Sequence, residues 1–339
     1  MGSENKYLRA GILVICGALV LRLVSSGAVA SFVTKPEVIT TLLFLETGRY
    51  VQPITEAPPE TTSLPTEPSP STEPPAQPPL IQKPAEAAAF SSGDAKLVTV
   101  NNVCGYDVDL QAMLEKSLTW DLTEDGPAVL IVHTHGTESY EKTEDYKESS
   151  AYRTLDNDYN MISVGDRLAQ MLEAGGVQVL HDRTPHDSPS YNGAYSSSRK
   201  SVKDYLAQYP SIRMVLDIHR DSVTRSDGTQ ASYSLTVDGK QTAKLMMVVG
   251  TDASGNYHPN WKNNMALAVK LHAQLEKLAP GSCRTISFRK QRFNQDLSAG
   301  AMLIEVGAAG NTHDQALAGA DLLAKGILAL AKGVQPTLY

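Results

Sequence analysis

Four side chains that could carry out metal-assisted hydrolysis lie at the ends of apolar segments: His135, Glu138, His219 and Glu305. Two imidazoles and one carboxylate form a ligand set typical of catalytic zinc sites, which keep a fourth position for water. The short spacing from His135 to Glu138 suits a turn that brings both side chains onto one ion. Zinc lowers the pKa of bound water to about 7, and Glu305 is then the candidate catalytic base that passes a proton to the leaving amine.

Neighbouring residues allow other assignments. His133 lies two positions before His135 and is an alternative ligand or a residue that supports the ligands. Asp156 is a weaker alternative ligand, because acids at a helix start usually interact with the helix dipole. Arg220 could bind a substrate carboxylate, stabilise an oxyanion or form a surface ion pair. Asn294, in the loop before the last apolar segment, is a candidate substrate contact.

The elements that must position these residues alternate between strands and helices. Continuous apolar runs predict buried strands at 127–135, 177–180, 212–221 and 301–307, and a hairpin is predicted within 231–250. Helices are predicted at 157–176, which is amphipathic and ends in glycines, at 261–281 and at 312–333, and the stretch 188–210 is predicted to be largely helical after Pro189. This order predicts an α/β fold with a mostly parallel central sheet and helices on both faces. Ligands bind such sheets beyond the carboxyl ends of the strands.

The sequence of the N-terminal third predicts a segment that tethers the rest of the chain to a membrane. Residues 1–33 form a short basic stub followed by an apolar stretch long enough to cross a bilayer, although Arg22 interrupts it. Lys6 and Arg9 precede that stretch and favour an N-terminus inside and a domain outside the membrane. Residues 34–95 form a juxtamembrane segment and a proline-rich linker, which suits an extended spacer. Residues 96–339 are the predicted catalytic domain, and a cleaved signal peptide is the alternative to the anchor.

Charge and cysteine content exclude other classes of protein. The formal net charge of −7 provides no basic surface for nucleic acid. Apart from Cys16 in the apolar N-terminal stretch, the cysteines are Cys104 and Cys283, and neither belongs to a C-x-x-C pair. A zinc site built from thiolates is therefore not expected, and both residues are predicted to be free thiols.

Several ordered motifs resemble one known family. The runs LIVHTHGTESY, NMISVGDRLAQMLE, DIHRDS, GTDASGNYHPNW and FNQDLSAGAMLIEVG, within residues 129–311, are similar to the stage II sporulation protein P family. The resemblance implies a fold like the zinc-dependent cell-wall amidases and an N-acetylmuramoyl-L-alanine amidase that also cleaves peptide cross-links. It places metal-binding histidines in HTHGTES and DIHRD and the catalytic acid on Glu305. General cell-wall amidases have their metal-binding glutamate further from the first histidine, which leaves Glu138, Asp156 and Glu148 as alternatives for the third ligand.

The same resemblance implies a biological setting. It implies septal wall thinning and engulfment during sporulation, with peptidoglycan as substrate and stage II sporulation proteins D and M as partners. A single-pass membrane protein with an extracytoplasmic catalytic domain is expected. The alternative function is a catalytically inactive amidase-like module that binds peptidoglycan or activates a partner, and a carboxypeptidase is a weaker third hypothesis.

Overall fold

A computed structural model describes residues 86–144, 146 and 152–334. The predicted anchor at 1–33 and almost all of the linker lie outside these residues. Within the described part, no helix combines the length and the apolar character needed to cross a bilayer. Residues 86–95, assigned to the linker from sequence, include Phe90, which is buried in the core.

Nine strands and five helices of the described residues form the fold. The strands are β1 (Val100–Asn102), β2 (Val129–Val132), β3 (Val179–His181), β4 (Met214–Asp221), β5 (Ser234–Val237), β6 (Lys240–Ala243), β7 (Leu245–Val249), β8 (Ile286–Phe288) and β9 (Ala301–Ala308). The helices are α1 (Leu110–Glu115), α2 (Met161–Ala174), α3 (Ala194–Gln208), α4 (Trp261–Leu278) and α5 (His313–Ala329). The short elements β1, α1 and β8 have no counterpart in the sequence prediction.

The central sheet has seven strands in the order β1-β8-β7-β9-β4-β2-β3. Five of its six pairings are parallel, and β7 with β9 is the antiparallel one. The prediction of a mostly parallel sheet is confirmed. Strands β5 and β6 form a separate hairpin whose turn residues Asp238 and Gly239 have φ of 49° and 79°. An Asp-Gly pair favours such a turn because both positions need positive φ.

Local signals explain where two of the helices begin. Asn160 caps α2 by accepting a hydrogen bond from the backbone of Ile162 at 2.8 Å. Thr312 and Gln315 form a reciprocal capping box at the start of α5. These caps satisfy amide donors that have no partner within the helix. Helix α3 begins at Ala194, within the stretch predicted to be helical after Pro189, because a 3₁₀ turn at Tyr191–Gly193 comes first.

The two faces of the sheet are covered unequally. Most of the core, including apolar residues of α1, α2, α4 and α5, lies on one face. On the other face, α3 packs through Val202 against Leu130 and Val215. In the described part of the chain, α3 is the helix of that face, and the remaining surface over β9, β7 and β8 lines an open cleft. Helices on both faces are therefore observed, but one face is covered only in part.

Candidate functional site

Three of the predicted residues meet at one edge of the sheet. His135 follows β2, and His219 and Glu305 are direct register partners on β4 and β9. The ring centroids of His135 and His219 are 5.4 Å apart. Glu138 joins them, because its Oε2 is 3.5 Å from Nδ1 of His219. All four residues line the same cavity of about 1040 Å³, at the upper end of the usual range for ligand pockets.

Asp217 orients His219. The two residues are two apart on β4 and so share a face of the sheet. Asp217 Oδ1 is 2.8 Å from His219 Nε2, and the carboxylate also accepts hydrogen bonds from the Thr134 backbone and hydroxyl at 2.8 and 2.6 Å. Nδ1 of His219 is left facing Glu138. Burial opposes a charge on His219, but Asp217 and Glu138 together raise its pKa well above the ordinary value.

Glu138 is an ionised carboxylate held by two arginines. Burial alone would raise its pKa, but the charge of Arg220 and the contact with His219 lower that pKa to about 2. Oε2 accepts from the Arg220 backbone N–H at 3.3 Å. Oε1 lies 3.6 Å from a guanidinium nitrogen of Arg220 and of Arg153. Glu138 therefore carries a negative charge at neutral pH.

Glu305 has the opposite electrostatic character. Its side chain faces the cleft, but Oε2 is buried and has no hydrogen-bond partner among the described residues. Burial is the main cause that raises the pKa of Glu305 to about 8, against the lowering effect of His219. Two nearby carboxyls whose environments separate their pKa values are typical of an acid–base site.

His135 is a neutral imidazole with a free nitrogen. Burial lowers its pKa, and Nδ1 is buried without a hydrogen bond. Asp187 Oδ2 lies 4.0 Å from that nitrogen. The ring stacks on Tyr191 at 4.3 Å and meets Tyr195 edge-on at 5.7 Å. Aromatic packing thus fixes the plane of the imidazole while its nitrogen is left available.

The side chains of His135, Glu138 and His219 are of the types that bind zinc. As placed in the structure, they do not form a coordination sphere. Within residues 86–144, 146 and 152–334, no group of three or more His, Cys, Asp or Glu could hold a metal ion as placed. The unpartnered nitrogen of His135, the carboxylate of Glu138 and the Asp217-oriented imidazole of His219 are nevertheless the chemistry that such an ion needs. A carboxylate behind a ligand histidine is the usual supporting contact in zinc sites.

The other candidates lie elsewhere. His133 is fully buried, with Nδ1 2.8 Å from the Ile218 carbonyl oxygen and Nε2 2.8 Å from His181 Nε2. Asp156 is exposed and caps its own turn by accepting from the Asp158 backbone at 3.0 Å. Glu148 lies outside the described residues.

Arg220 and Asn294, the two candidate substrate contacts, both form hydrogen bonds with other groups of the protein. Arg220 is 4% exposed and donates to the carbonyl oxygens of Ser139 and Tyr152 at 2.9 and 2.8 Å, so it holds the Glu138 segment in place. Asn294 donates to the Tyr195 carbonyl oxygen at 2.8 Å. Asn294 is not among the residues that line the cleft.

Two residues of the site, Arg153 and Asp187, could not be predicted from any pattern in the sequence. Arg153 donates to Asp187 at 2.8 Å, stands over the Tyr191 ring at 4.3 Å and approaches Glu138. Asp187 also accepts from the Thr137 hydroxyl at 2.7 Å. Both lie in connecting segments far apart along the chain and meet only in the fold. The cysteines Cys104 and Cys283 are free thiols, as predicted.

Solved structures with similar chain traces include two N-acetylmuramoyl-L-alanine amidases. The amidase AmiC2 of Nostoc punctiforme is 17% identical, with a TM-score of 0.34 over 60% of this chain and 97% of that one. An N-acetylmuramoyl-L-alanine amidase from Clostridium difficile 630 is 15% identical, with a TM-score of 0.37 over 61% and 97%.

Sequence comparison identifies the family. The chain is 31% identical over 207 residues to stage II sporulation protein P of Bacillus subtilis (strain 168), which covers 57% of this chain. The match spans about half of that relative, 48% of its length. A family model described as stage II sporulation protein P matches residues 46–328. The chain therefore belongs to the stage II sporulation protein P family.

Proposed function

We propose that this chain is a zinc-dependent peptidoglycan hydrolase that cleaves the amide between N-acetylmuramic acid and L-alanine. Cleavage of peptide cross-links is part of the same proposal. The observation that carries it is the convergence of His135, Glu138, His219 and Glu305 in one large cleft. Family membership supports this reading.

His135, Glu138 and His219 would hold the zinc ion. A bound zinc would supply a Lewis acid that polarises an amide carbonyl and lowers the pKa of water. Two imidazoles, once His219 has given up its proton to bind, and one carboxylate would leave that ion with a net positive charge, which suits this chemistry. Asp217 supports the proposal because it fixes the orientation of one imidazole.

Glu305 would move the proton. With a pKa raised to about 8, both the ionised form of Glu305, which can accept a proton, and its protonated form, which can donate one, are populated near neutral pH. Its Oε2 has no competing hydrogen bond within the described residues. Glu305 would take a proton from the attacking water and deliver it to the amine that leaves as the C–N bond breaks.

The remaining residues of the site would position these groups. Arg220 fixes Glu138 through its backbone and guanidinium. Arg153 and Asp187 brace the opposite side, where Tyr191 stacks on His135. This positioning matters because a small displacement of a catalytic group lowers the reaction rate by a large factor.

The proposed setting is the extracytoplasmic side of a membrane. The apolar stretch within 1–33 would anchor the chain, and the linker within 34–95 would let the domain reach the cell wall. Septal wall thinning and engulfment during sporulation are the proposed process. Stage II sporulation proteins D and M are the proposed partners.

Product analysis tests the proposal. Purified full-length chain is incubated with purified cell wall, with and without a chelator, and released fragments are identified by mass spectrometry. Glu305→Gln is compared with Glu124→Gln, which removes an exposed carboxylate remote from the cleft. We expect new L-alanine amino termini with wild type and Glu124→Gln, and loss of cleavage by at least about 100-fold in Glu305→Gln.

The outcomes separate the competing functions. Digestion by Glu305→Gln at the wild-type rate would show that the assignment of the base is wrong. Wall binding without cleavage, in a protein that holds no stoichiometric zinc, would favour the inactive binding or activating module. Release of terminal residues alone would identify a carboxypeptidase.

A further inference from the structure

The cleft extends well beyond the proposed zinc ligands. Its floor continues from β9 across β7 and β8 to β1, and side chains alternate so that one set on each strand faces it. Met246 pairs with Glu305, and Val248 pairs with Ser287 of the next strand. We call the part lined by Thr285, Ser287, Arg289 and Asn101 the distal arm.

The distal arm has a chemistry different from that of the catalytic end. Around His219 the cleft has the acidic side chains of Glu138, Glu305 and Asp221, and the cations Arg220, Lys244 and Arg284 line it as well. The distal arm presents hydroxyls, amides and the guanidinium of Arg289. Thr99 and Thr285 pair their hydroxyls at 3.2 Å. A single cation on the distal arm, away from the reacting groups, favours a ligand that carries an anion at a fixed distance from the reacting bond.

Arg289 is positioned to bind that anion. Its Nε donates to Ser287 Oγ at 2.7 Å, and Ser287 is 3% exposed. This contact fixes the plane of the guanidinium. No carboxylate of the described residues lies within ion-pair distance of Arg289, in contrast to Arg284, which pairs with Asp221 at 2.8 Å. Arg289 is exposed at the cleft, and its two terminal nitrogens can take a carboxylate with two parallel hydrogen bonds.

We propose that Arg289 binds a carboxylate of the peptide stem of the wall substrate, and so determines which stems the cleft accepts. The proposal rests on the proposed function, since it assumes a wall peptide in the cleft. Strand spacing and rise put the Cα atoms of Glu305 and Arg289 on the order of 16 Å apart. An extended peptide covers that distance in about four or five residues. The carboxylate would therefore lie several residues beyond the cleaved amide.

A binding measurement tests this assignment without turnover. The full-length chain is titrated calorimetrically with a soluble stem peptide that has free carboxylates, and with the same peptide fully amidated. Arg289→Gln is compared with Arg213→Gln, which removes an exposed arginine that does not line the cleft. Arg289→Lys keeps the charge but not the planar fork.

We expect Arg289→Gln to weaken binding of the free peptide about tenfold and to leave the amidated peptide unchanged. Arg289→Lys should recover part of that loss, and Arg213→Gln should match wild type. Equal effects on both peptides, no effect on either, or no preference of wild type for the free peptide would each overturn the proposal. A chain that shows the expected preference but does not cleave cell wall would contradict only the proposed function.

Discussion

His219 and Glu305 are direct neighbours across the parallel β4–β9 ladder, with their side chains on the same face of the sheet. One is an imidazole whose pKa is raised by two carboxylates, and the other is a carboxyl whose pKa burial raises. Rigid strands therefore set the spacing between a proposed zinc ligand and the proposed base. Sites built on strands hold their geometry better than sites built on loops.

Replacing Asp217 by Asn should weaken zinc binding while the fold is retained. The substitution keeps the shape of the side chain but removes the charge that orients His219 through Nε2. Loss of such a supporting contact typically costs 10–100-fold in metal affinity. Competition with a fluorescent chelator measures the affinity, and Asp204→Asn, on the exposed face of α3, is the control. Equal zinc affinity in wild type and Asp217→Asn would contradict the ligand role of His219.

Replacing Gly165 by Ala should destabilise the domain, although alanine normally favours a helix. A Cβ at this position in α2 would lie 2.5 Å from His133 Nε2 and 2.6 Å from His181 Nε2. Overpacking of this kind costs about 1–3 kcal/mol, more than the ~1 kcal/mol that alanine gains over glycine in a helix. Urea unfolding measures the change. Gly193→Ala, whose Cβ would meet ordinary contacts at 3.6 Å, should stay within about 0.5 kcal/mol of wild type.

Removing the Arg220 side chain should cost far more stability than removing a surface cation. Arg220→Met removes the cation buried against Glu138 and the donor to the carbonyl oxygens of Ser139 and Tyr152. Breaking a buried pair in this way costs roughly 3–5 kcal/mol. Lys200→Met breaks an exposed pair with Asp204 and should change the unfolding free energy by about 0.5 kcal/mol or less. Similar losses in both variants would show that Arg220 is not a structural support of the site.

Lys270 should make stability depend on pH above neutrality. It is fully buried in α4 and donates to the Met113 carbonyl oxygen. Burial, with a smaller effect of Lys116, lowers its pKa from 10.5 to about 7. Between those values the unfolded chain binds the extra proton, so stability rises with pH from about 7 toward 10.5, by at most ~1.4 kcal/mol per pH unit.

The pH dependence is measured as the difference between wild type and Lys270→Met. Unfolding free energies are compared from pH 7 to 8.5, and the slope due to Lys270 should disappear in the variant. Lys240→Met, an exposed residue of β6, should keep the wild-type slope. A slope that is unchanged in Lys270→Met would show that this lysine is not charged differently in the folded and unfolded states.

Local patterns in the sequence were sufficient for most elements and for the types of residue in the site. The apolar run of β2 and the capped start of α2 depend on near neighbours, so they could be predicted. The positions of His219 and Glu305 could also be predicted, because a polar side chain within an otherwise apolar strand is easily recognised in the sequence. The short strands β1 and β8 were missed, since three residues carry too little pattern and these strands form only by pairing with segments distant along the chain.

The sequence by itself determined an α/β chain with zinc-type donors at strand ends, because apolar periodicity and residue chemistry are local properties. Only the tertiary structure decided that His219 pairs with Glu305 and that Arg153 reaches Asp187 and Glu138. It also decided that β7 runs against β9 and that part of one sheet face stays open as a cleft. These features depend on strand order and on contacts between segments distant along the chain, which no local pattern encodes.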